Sequence, residues 1–392
     1  MNAVSLLAAT STRSVVLAVS AALALSGCST VTGWFSSSDK KILPLPAVSG
    51  GATVTTAWQA PLGGKQVSSL IPVVANGLVY AAHSTGTITV FDEKTGAVVS
   101  KMQTPAGKGE VSGGVSAAVD IVVVGTNKAE VIAFDAKGAV RWSAKASSEV
   151  ISPAAISENS VVVLGGDGAI TSFDIKTGER KWRIQRVLPA LTVRSSAIPA
   201  ATRGAVFVGT AQGKLLAIDA NTGTIGWEAT VATPKGTSEL ERLVDVVGRP
   251  AVDTDRVCAA AYQGRVACFD LVRGTLLWSR DISSLNGPVI DARYVYVADE
   301  KGFVQALDKA TGGTIWKQDV LAGRRATGIA LLGDFVAVQD AEGAVHLVDR
   351  NNGKISGRGL GEAFISNVGL VSSGNNVLIQ TQSGQLAAIG AR

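Results

Sequence analysis

Thiol and imidazole groups are the side chains of this chain that could do nucleophilic or metal chemistry, and there are few of them. The 392 residues include three cysteines, Cys28, Cys258 and Cys268, and two histidines, His83 and His346. A nucleophile needs a base within reach, and a metal site needs several ligands at suitable spacing. Neither histidine has such a neighbour in sequence. We therefore expect no enzyme activity, no metal site and no bound cofactor, and interpret both histidines as structural or surface residues.

Two of the cysteines flank one turn symmetrically. Cys258 and Cys268 lie on either side of Tyr262-Gln263-Gly264. A three-residue loop would place the two cysteines directly opposite each other on adjacent strands, whereas a two-residue loop would place them on opposite faces. The sequence leaves two alternatives open: a disulfide, which an exported location permits, or two separate packed thiols.

Carboxylates recur with a regular period along the chain. An aspartate follows a proline by 20 or 21 residues in five places: Pro72/Asp92, Pro153/Asp174, Pro199/Asp219, Pro250/Asp270 and Pro288/Asp308. Two more copies keep the aspartate without the proline, at Asp135 and Asp349, and an eighth ends at Gly390 with glycine in its place. Aspartate followed by a small turn ending in glycine can bond backbone N–H groups two residues on. These aspartates are therefore interpreted as structural turn residues.

The segments between these turns have the pattern of short strands. In the fourth copy, Ala205 to Gly209 and Lys214 to Ile218 are β-strand-like runs, Asp219 to Gly223 is a turn, and Thr224 to Trp227 is an outer strand. A repeat of about 40 to 45 residues with four strands is typical of a propeller blade. The pattern predicts an all-β fold, an eight-bladed β-propeller of four-stranded antiparallel blades, over residues 53–392.

The tryptophans indicate how the ring closes. Five of them follow their unit's aspartate by seven or eight residues: Trp142, Trp182, Trp227, Trp278 and Trp316. Trp58 precedes the first complete unit and would supply the outer strand that the truncated eighth unit lacks. We therefore expect the N-terminal strand to close the ring, and interpret the tryptophans as packing between blades.

Charge gives no sign of a nucleic-acid partner. The formal net charge is +5 and the pI is about 9.1. The lysines and arginines are mostly scattered singly, whereas binding to nucleic acid needs a basic stripe or patch. We expect no nucleic-acid binding.

The N-terminal residues predict export and a lipid anchor. Val15 to Leu25 is an apolar run of 11 residues, too short to span a bilayer, which needs about 20. It ends in Leu25-Ser26-Gly27-Cys28, which resembles the lipobox of bacterial lipoproteins. That resemblance implies that residues 1–27 are a signal peptide and that the Cys28 thiol carries lipid. Ser29, where retention in the inner membrane usually requires aspartate, implies the outer membrane. Residues 28–52 would form a flexible lipidated tether.

The repeat itself resembles that of quinoprotein (PQQ) dehydrogenases. The resemblance is carried by Ala217 to Gly223 followed by Trp227, and those enzymes are also eight-bladed. They carry adjacent cysteines over the quinone, a Glu/Asn/Asp set on calcium and a catalytic aspartate. This chain has no adjacent cysteines and no long insertion to roof a cofactor. A quinoprotein-like enzyme or cofactor binder is therefore the alternative rather than the favoured interpretation.

Two connections between blades are longer than the others. From tryptophan to the next proline there are 11 residues at Trp142/Pro153 and 10 at Trp278/Pro288, but 17 at Trp182/Pro199 and 23 at Trp227/Pro250. Repeat symmetry places the two long connections on the same face, about one blade apart. Lengthened loops on a rigid scaffold commonly carry function. They mix apolar with charged residues, which favours a protein partner; the alternative is that they fold back over the propeller's own core.

Together these features resemble the BamB family of lipoproteins of the β-barrel assembly machinery. In that family a Leu-x-Leu-Arg-type segment and an Arg-Leu-x-Asp-x-Asp-type segment contact the periplasmic POTRA region of BamA. The matching residues here are Leu191, Val193, Arg194 and Asp245, while Val247 stands where the second acid is expected. The resemblance thus implies that Val247→Asp would be neutral or would strengthen the contact.

What this resemblance implies is a role as a scaffold without enzyme activity. It implies a protein on the periplasmic side of the outer membrane that binds BamA and other subunits of the machinery, and that assists the assembly and insertion of β-barrel proteins. Unfolded outer-membrane proteins are a further candidate partner. A scaffold lipoprotein of another envelope complex is a second alternative.

Overall fold

The computed structural model describes residues 44–64, 70–193, 197–360, 369–381 and 383–392. Strands make up nearly all of the regular structure in these ranges, and a single short 3₁₀ turn spans Ala211–Gly213. In chain order the strands are β1 (Ala52–Pro61), β2 (Val73–Ala75), β3 (Leu78–Ala82), β4 (Thr87–Asp92), β5 (Val98–Gln103), β6 (Val111–Ala118), β7 (Ile121–Thr126), β8 (Glu130–Asp135), β9 (Val140–Lys145), β10 (Ala155–Ser157), β11 (Ser160–Leu164), β12 (Ala169–Asp174), β13 (Arg180–Gln185), β14 (Ala200–Thr202), β15 (Ala205–Thr210), β16 (Lys214–Asp219), β17 (Ile225–Thr230), β18 (Val246–Val252), β19 (Arg256–Ala261), β20 (Val266–Asp270), β21 (Leu276–Arg280), β22 (Val289–Ile290), β23 (Tyr294–Ala298), β24 (Val304–Asp308), β25 (Thr314–Gln318), β26 (Ala326–Leu332), β27 (Phe335–Asp340), β28 (Val345–Asp349), β29 (Ile355–Gly359), β30 (Val371–Ser373), β31 (Asn376–Gln380) and β32 (Gln385–Ala391).

The strands form eight blades in chain order. Blades 1 to 6 are separate four-stranded antiparallel sheets, from β2–β5 for blade 1 to β22–β25 for blade 6. Blade 7 consists of β26 to β29, and blade 8 of β30 to β32 with β1 as its fourth strand. The second and third strands of each blade are mostly buried and apolar, whereas the outer strands are half exposed. The eight-bladed propeller that the repeat predicts is confirmed.

The N-terminal strand closes the ring, as the position of Trp58 predicts. β1 pairs antiparallel with β32 from Val54 to Pro61. The start of β1 also pairs in parallel with β29 of blade 7, through Ala52 and Thr53. Blades 7 and 8 therefore share one continuous eight-stranded sheet. This second pairing, which the sequence did not indicate, protects an edge of blade 7 that would otherwise be open.

The hydrophobic core is divided among the junctions between blades. Each cluster of buried apolar side chains draws on two neighbouring blades, and one of them joins blade 8 to blade 1 through Trp58, Leu378, Val79 and Phe91. Because burial of apolar area is the main stabilising term, each blade depends on its neighbours for stability. A closed ring leaves neither end of the array without such a neighbour.

A tryptophan and a turn glycine meet at most of these junctions. The indole Nε1–H of Trp278 donates to the carbonyl of Lys309, one residue after the turn aspartate of the next blade, at 2.9 Å. The indole ring lies over Gly312, which has a φ of +68° and no room for a Cβ. The same pair of contacts is made by Trp58, Trp142, Trp182, Trp227 and Trp316. These six tryptophans thus lock their outer strands to the following blade, as interpreted from their spacing.

The two internal cysteines lie at the junction of blades 5 and 6. Ala261 and Arg265 close a three-residue loop, so Cys258 and Cys268 stand directly opposite on β19 and β20. The structure joins them by a disulfide, and both are fully buried. Of the two alternatives that the sequence left open, this geometry corresponds to the disulfide rather than to two separate thiols.

A candidate partner-binding face

The two long connections are the largest departures from the repeat. Loop A (residues 186–199) joins β13 to β14, and loop B (residues 231–245) joins β17 to β18. Both run from an outer strand to the inner strand of the next blade. The end of loop A lies beside the strand that follows loop B, because Ile198 N–H donates to the carbonyl of Gly248 in β18 at 3.0 Å. Arg194, one of the predicted contact residues, lies outside the described residues, as does the predicted lipidation site Cys28.

Loop B is anchored at its ends and exposed at its apex. Val231, Ala232 and Val244 are buried in the cluster between blades 4 and 5. Residues 235–242, by contrast, are all exposed, and Leu240 keeps 65% of its surface accessible. The alternative in which the loop folds back over the propeller therefore describes its ends and not its apex.

A capping box orders the apex of loop B. Glu241 N–H donates to Ser238 Oγ at 3.3 Å, and the Glu241 carboxylate accepts N–H groups from Ser238 at 3.0 Å and Thr237 at 2.9 Å. These backbone donors hold the pKa of Glu241 at about 2. The spacing Ser-x-x-Glu is the signature of this motif. The sequence carries that signature, but the prediction of a partner-binding loop from its length and composition did not include it.

Loop A presents three apolar side chains. Its start is fixed by Arg186, whose N–H donates to the Gly168 carbonyl at 3.1 Å and whose guanidinium lies 3.1 Å from Glu228. The loop then exposes Val187 at 90%, Leu188 at 37% and the predicted contact residue Leu191 at 46%. Exposed apolar side chains that form a contiguous patch are typical of a binding surface.

Asp245 joins the two loops. Its carboxylate accepts the N–H of Val193 in loop A at 2.6 Å and the N–H of Gln212, in the adjacent turn of blade 4, at 3.3 Å. The side chain is only 4% exposed, and burial raises its pKa, against the effect of the two N–H donors. The structure thus brings together two predicted site residues that are 52 apart in sequence.

This geometry gives Asp245 a role within the protein itself. The family resemblance implies a charged contact with the partner, but a buried carboxylate bonded on both oxygens is placed to hold loop A in position. Val247 is likewise buried, at 1% exposure, and pairs with Ala260 inside blade 5. The expected acid at that position would lie in the protein interior, so the expectation that Val247→Asp is neutral does not fit this structure.

The cavity at the centre of the ring has few ionisable groups in its lining. A channel of about 920 Å³ is lined mainly by apolar side chains and glycines, and its ionisable lining residues are Glu149 and Arg249. Among the described residues, no group of three or more His, Cys, Asp and Glu side chains is arranged to hold a metal ion. No helix in the same ranges is long and apolar enough to cross a membrane.

Comparison with known proteins identifies the family. Residues 84–318 match the family model described as outer membrane protein assembly factor BamB. A protein of that name from Bordetella pertussis is 40% identical over 374 residues, covering 94% of this chain and 95% of the relative. The crystal structure of BamB from Moraxella catarrhalis is 27% identical and covers 86% of this chain and 99% of its own, with a TM-score of 0.77. A quinohemoprotein alcohol dehydrogenase from Comamonas testosteroni, 13% identical with a TM-score of 0.66 over 86% of this chain and 76% of its own, shares the fold alone. The chain therefore belongs to the BamB family of outer membrane protein assembly factors.

Proposed function

We propose that this protein is a non-enzymatic scaffold of the outer-membrane β-barrel assembly machinery, and that loops A and B bind the periplasmic POTRA region of BamA. The observation that carries the proposal is the bond from Val193 N–H to Asp245, which fixes one long loop against the base of the other. The names of the relatives support the general role. In this proposal Cys28 is lipidated and holds the propeller at the periplasmic side of the outer membrane.

The surface of the two loops has the composition of a protein interface. Exposed apolar side chains are provided by Val187, Leu191 and Leu240, with charged neighbours such as Arg186 and Arg242. An apolar centre within a polar rim is the usual arrangement of such an interface. Arg194, adjacent to Val193, is proposed from the family resemblance as the arginine of this contact.

The described parts of both loops are pre-organised for binding. Loop B has its apex held by the capping box and its ends in the core, and loop A is pinned by Arg186 at one end and Asp245 near the other. A binding surface that is already ordered loses less conformational entropy on association. This arrangement favours a binding module over the quinoprotein alternative, since the exposed apolar side chains Val187, Leu191 and Leu240 are not part of the channel lining.

Binding to the purified periplasmic region of BamA tests the proposal. We expect Leu191→Ser and Arg194→Glu each to weaken binding about 30-fold, which corresponds to a hot spot of about 2 kcal/mol. The control is Val98→Ser, which removes an apolar side chain of similar exposure, 55%, from the outer strand of blade 1. Wild-type affinity in both loop variants, with an unchanged melting temperature, would place the partner on another surface. Co-purification of the wild type with a different envelope complex would favour the other scaffold alternative.

A further inference from the structure

A buried charged cluster lies inside blade 7. The His346 side chain on β28 is completely buried, and its Nε2 lies 2.9 Å from Oδ2 of Asp340 at the end of β27. Arg324 Nε–H donates to the same carboxylate oxygen at 2.5 Å, and the side chains of Arg324 and Asp340 are almost completely buried. A buried carboxylate needs such donors to remain charged.

A second arginine bonds the other side of the imidazole. Arg358 on β29 donates its Nε–H to Nδ1 of His346 at 3.2 Å. Arginine has no acceptor, so Nδ1 must be the acceptor and must carry no proton. The ring proton is then on Nε2, where Asp340 accepts it. The two neighbours of His346 thus require the neutral imidazole in one tautomer.

Arg358 also holds the chain that leads into the ring. Its Nη2 donates to the carbonyl of Pro46 at 2.6 Å. Ser49 N–H and Oγ both donate to the carbonyl of Ile355 at 3.1 Å, and Thr53 pairs with Arg358 in the parallel register of β1 and β29. We call residues 46–53 the entry segment. Most of this segment falls within the predicted tether, and the structure lays it along the open edge of β29.

We propose that His346 is a pH-sensitive latch that holds the entry segment on blade 7 and releases it in acid. A proton taken from solvent at Nδ1 turns that acceptor into a donor. The new Nδ1–H would face the Nε–H of Arg358, and the protonated imidazole would add a positive charge beside the guanidinium. Arg358 must then turn away, which removes its bond to the Pro46 carbonyl.

The charges around the imidazole set the direction of the pH dependence. Burial lowers the pKa of His346, while Asp340 opposes this effect and Arg358 and Arg324 reinforce it. Burial alone would raise the pKa of Asp340, but the bonds from His346 and Arg324 hold it below its ordinary value, so this carboxylate stays charged in mild acid. Because the pKa of His346 is lower in the folded state, its neutral form stabilises the latch fully above about pH 6.5. That stabilisation falls as the pH drops towards the folded pKa.

Release would change what the propeller presents. The edge of β29 would lose its cover, and a free edge strand can pair with another chain. If Cys28 is the anchor, as proposed above, the linker between membrane and propeller would also gain the entry segment. The latch itself does not depend on that proposal.

Amide hydrogen exchange of the full mature chain tests the latch. Protection factors of the entry segment, corrected for intrinsic exchange, would be compared at about pH 7.5 and about pH 5, either side of the ordinary histidine pKa. We expect the wild type to lose protection at least about tenfold in acid. His346→Gln should keep its protection, because a glutamine amide can donate to Asp340 and accept from Arg358 but cannot be protonated. His83→Gln, which changes the other histidine, should behave like the wild type. Equal protection of the wild type at both pH values, or equal release in His346→Gln, would overturn the proposal.

A second measurement keeps the test decisive if His346→Gln does not fold. The chain has two histidines, so the imidazole signals of the wild type can be assigned by NMR with His83→Gln as reference. The latch requires the Ser49 amide signal to move with the titration of His346. A His346 signal that titrates while Ser49 stays unchanged, or that does not titrate above about pH 4, contradicts it.

Discussion

Asp308 and Asp245 are the same residue type in two parts of the propeller, but their carboxylates have different structural roles. Asp308 ends the third strand of blade 6 and accepts the N–H and the hydroxyl of Thr311, both at 2.8 Å. The Thr311 bonds lower its pKa in an exposed turn. Asp245 is buried, and burial raises its pKa while it joins two loops. The repeat aspartate closes a turn locally, whereas the loop aspartate fixes segments far apart in sequence.

The contrast extends to the surroundings of each residue. The turn that Asp308 begins also contains Gly312, which is covered by Trp278 of the preceding blade. The turn that Asp308 begins therefore takes part in holding neighbouring blades together. Asp245 holds loop A, which exposes apolar side chains to solvent. We infer that substitutions in the repeat turn affect chiefly stability and those in the loops chiefly binding.

The largest effect on stability is expected for Gly312→Ala. A Cβ at this position would lie 2.5 Å from Cδ2 of Trp278, and its φ of +68° is unfavourable for alanine. Overpacking and backbone strain together should lower the free energy of unfolding by about 2–4 kcal/mol, measured by urea unfolding. Gly77→Ala is the matched control, because its φ is +74° but nothing lies within 4 Å of the added Cβ. Equal losses in the two variants would show that the contact with Trp278 contributes nothing.

A smaller loss of stability and a large loss of binding are expected for Asp245→Ala. The change leaves the N–H groups of Val193 and Gln212 without their acceptor, which should cost about 1–3 kcal/mol. Loop A should become sensitive to limited proteolysis, and binding to the periplasmic region of BamA should weaken. Asp308→Ala should reduce stability and leave binding intact. If Asp245→Ala binds fully although loop A has become sensitive to proteolysis, loop A is not part of the partner site.

What the sequence could predict follows the same division. The turn aspartates, the glycines and the interblade tryptophans repeat, so their spacing predicted eight blades and the closure through Trp58. Asp245 has no repeat equivalent, and its burial depends on how loop A meets loop B, which no local pattern records. Most of the entry segment was predicted as flexible tether, because the residues before the first strand are rich in Ser, Thr, Gly and Pro. It is held by backbone bonds and by Arg358, interactions that leave little trace in composition.

The smallest effect expected concerns the pH dependence of stability. As the pH is lowered, the contributions of Asp308 and Asp245 to the free energy of unfolding should change in opposite directions. The folded-state pKa of Asp308 is lower than its unfolded value of about 3.9, so its stabilisation is lost as the pH falls through the folded pKa. The folded-state pKa of Asp245 is raised, so the folded state gains protons first and this residue contributes relative stability on acidification. Unfolding free energies measured between about pH 6 and pH 3.5 should therefore fall less steeply for Asp308→Asn than for the wild type, and more steeply for Asp245→Asn. Slopes that change in the same direction in both variants would mean that the loop carboxylate is solvated like the turn carboxylate. The buried joint between loops A and B would then not exist in solution.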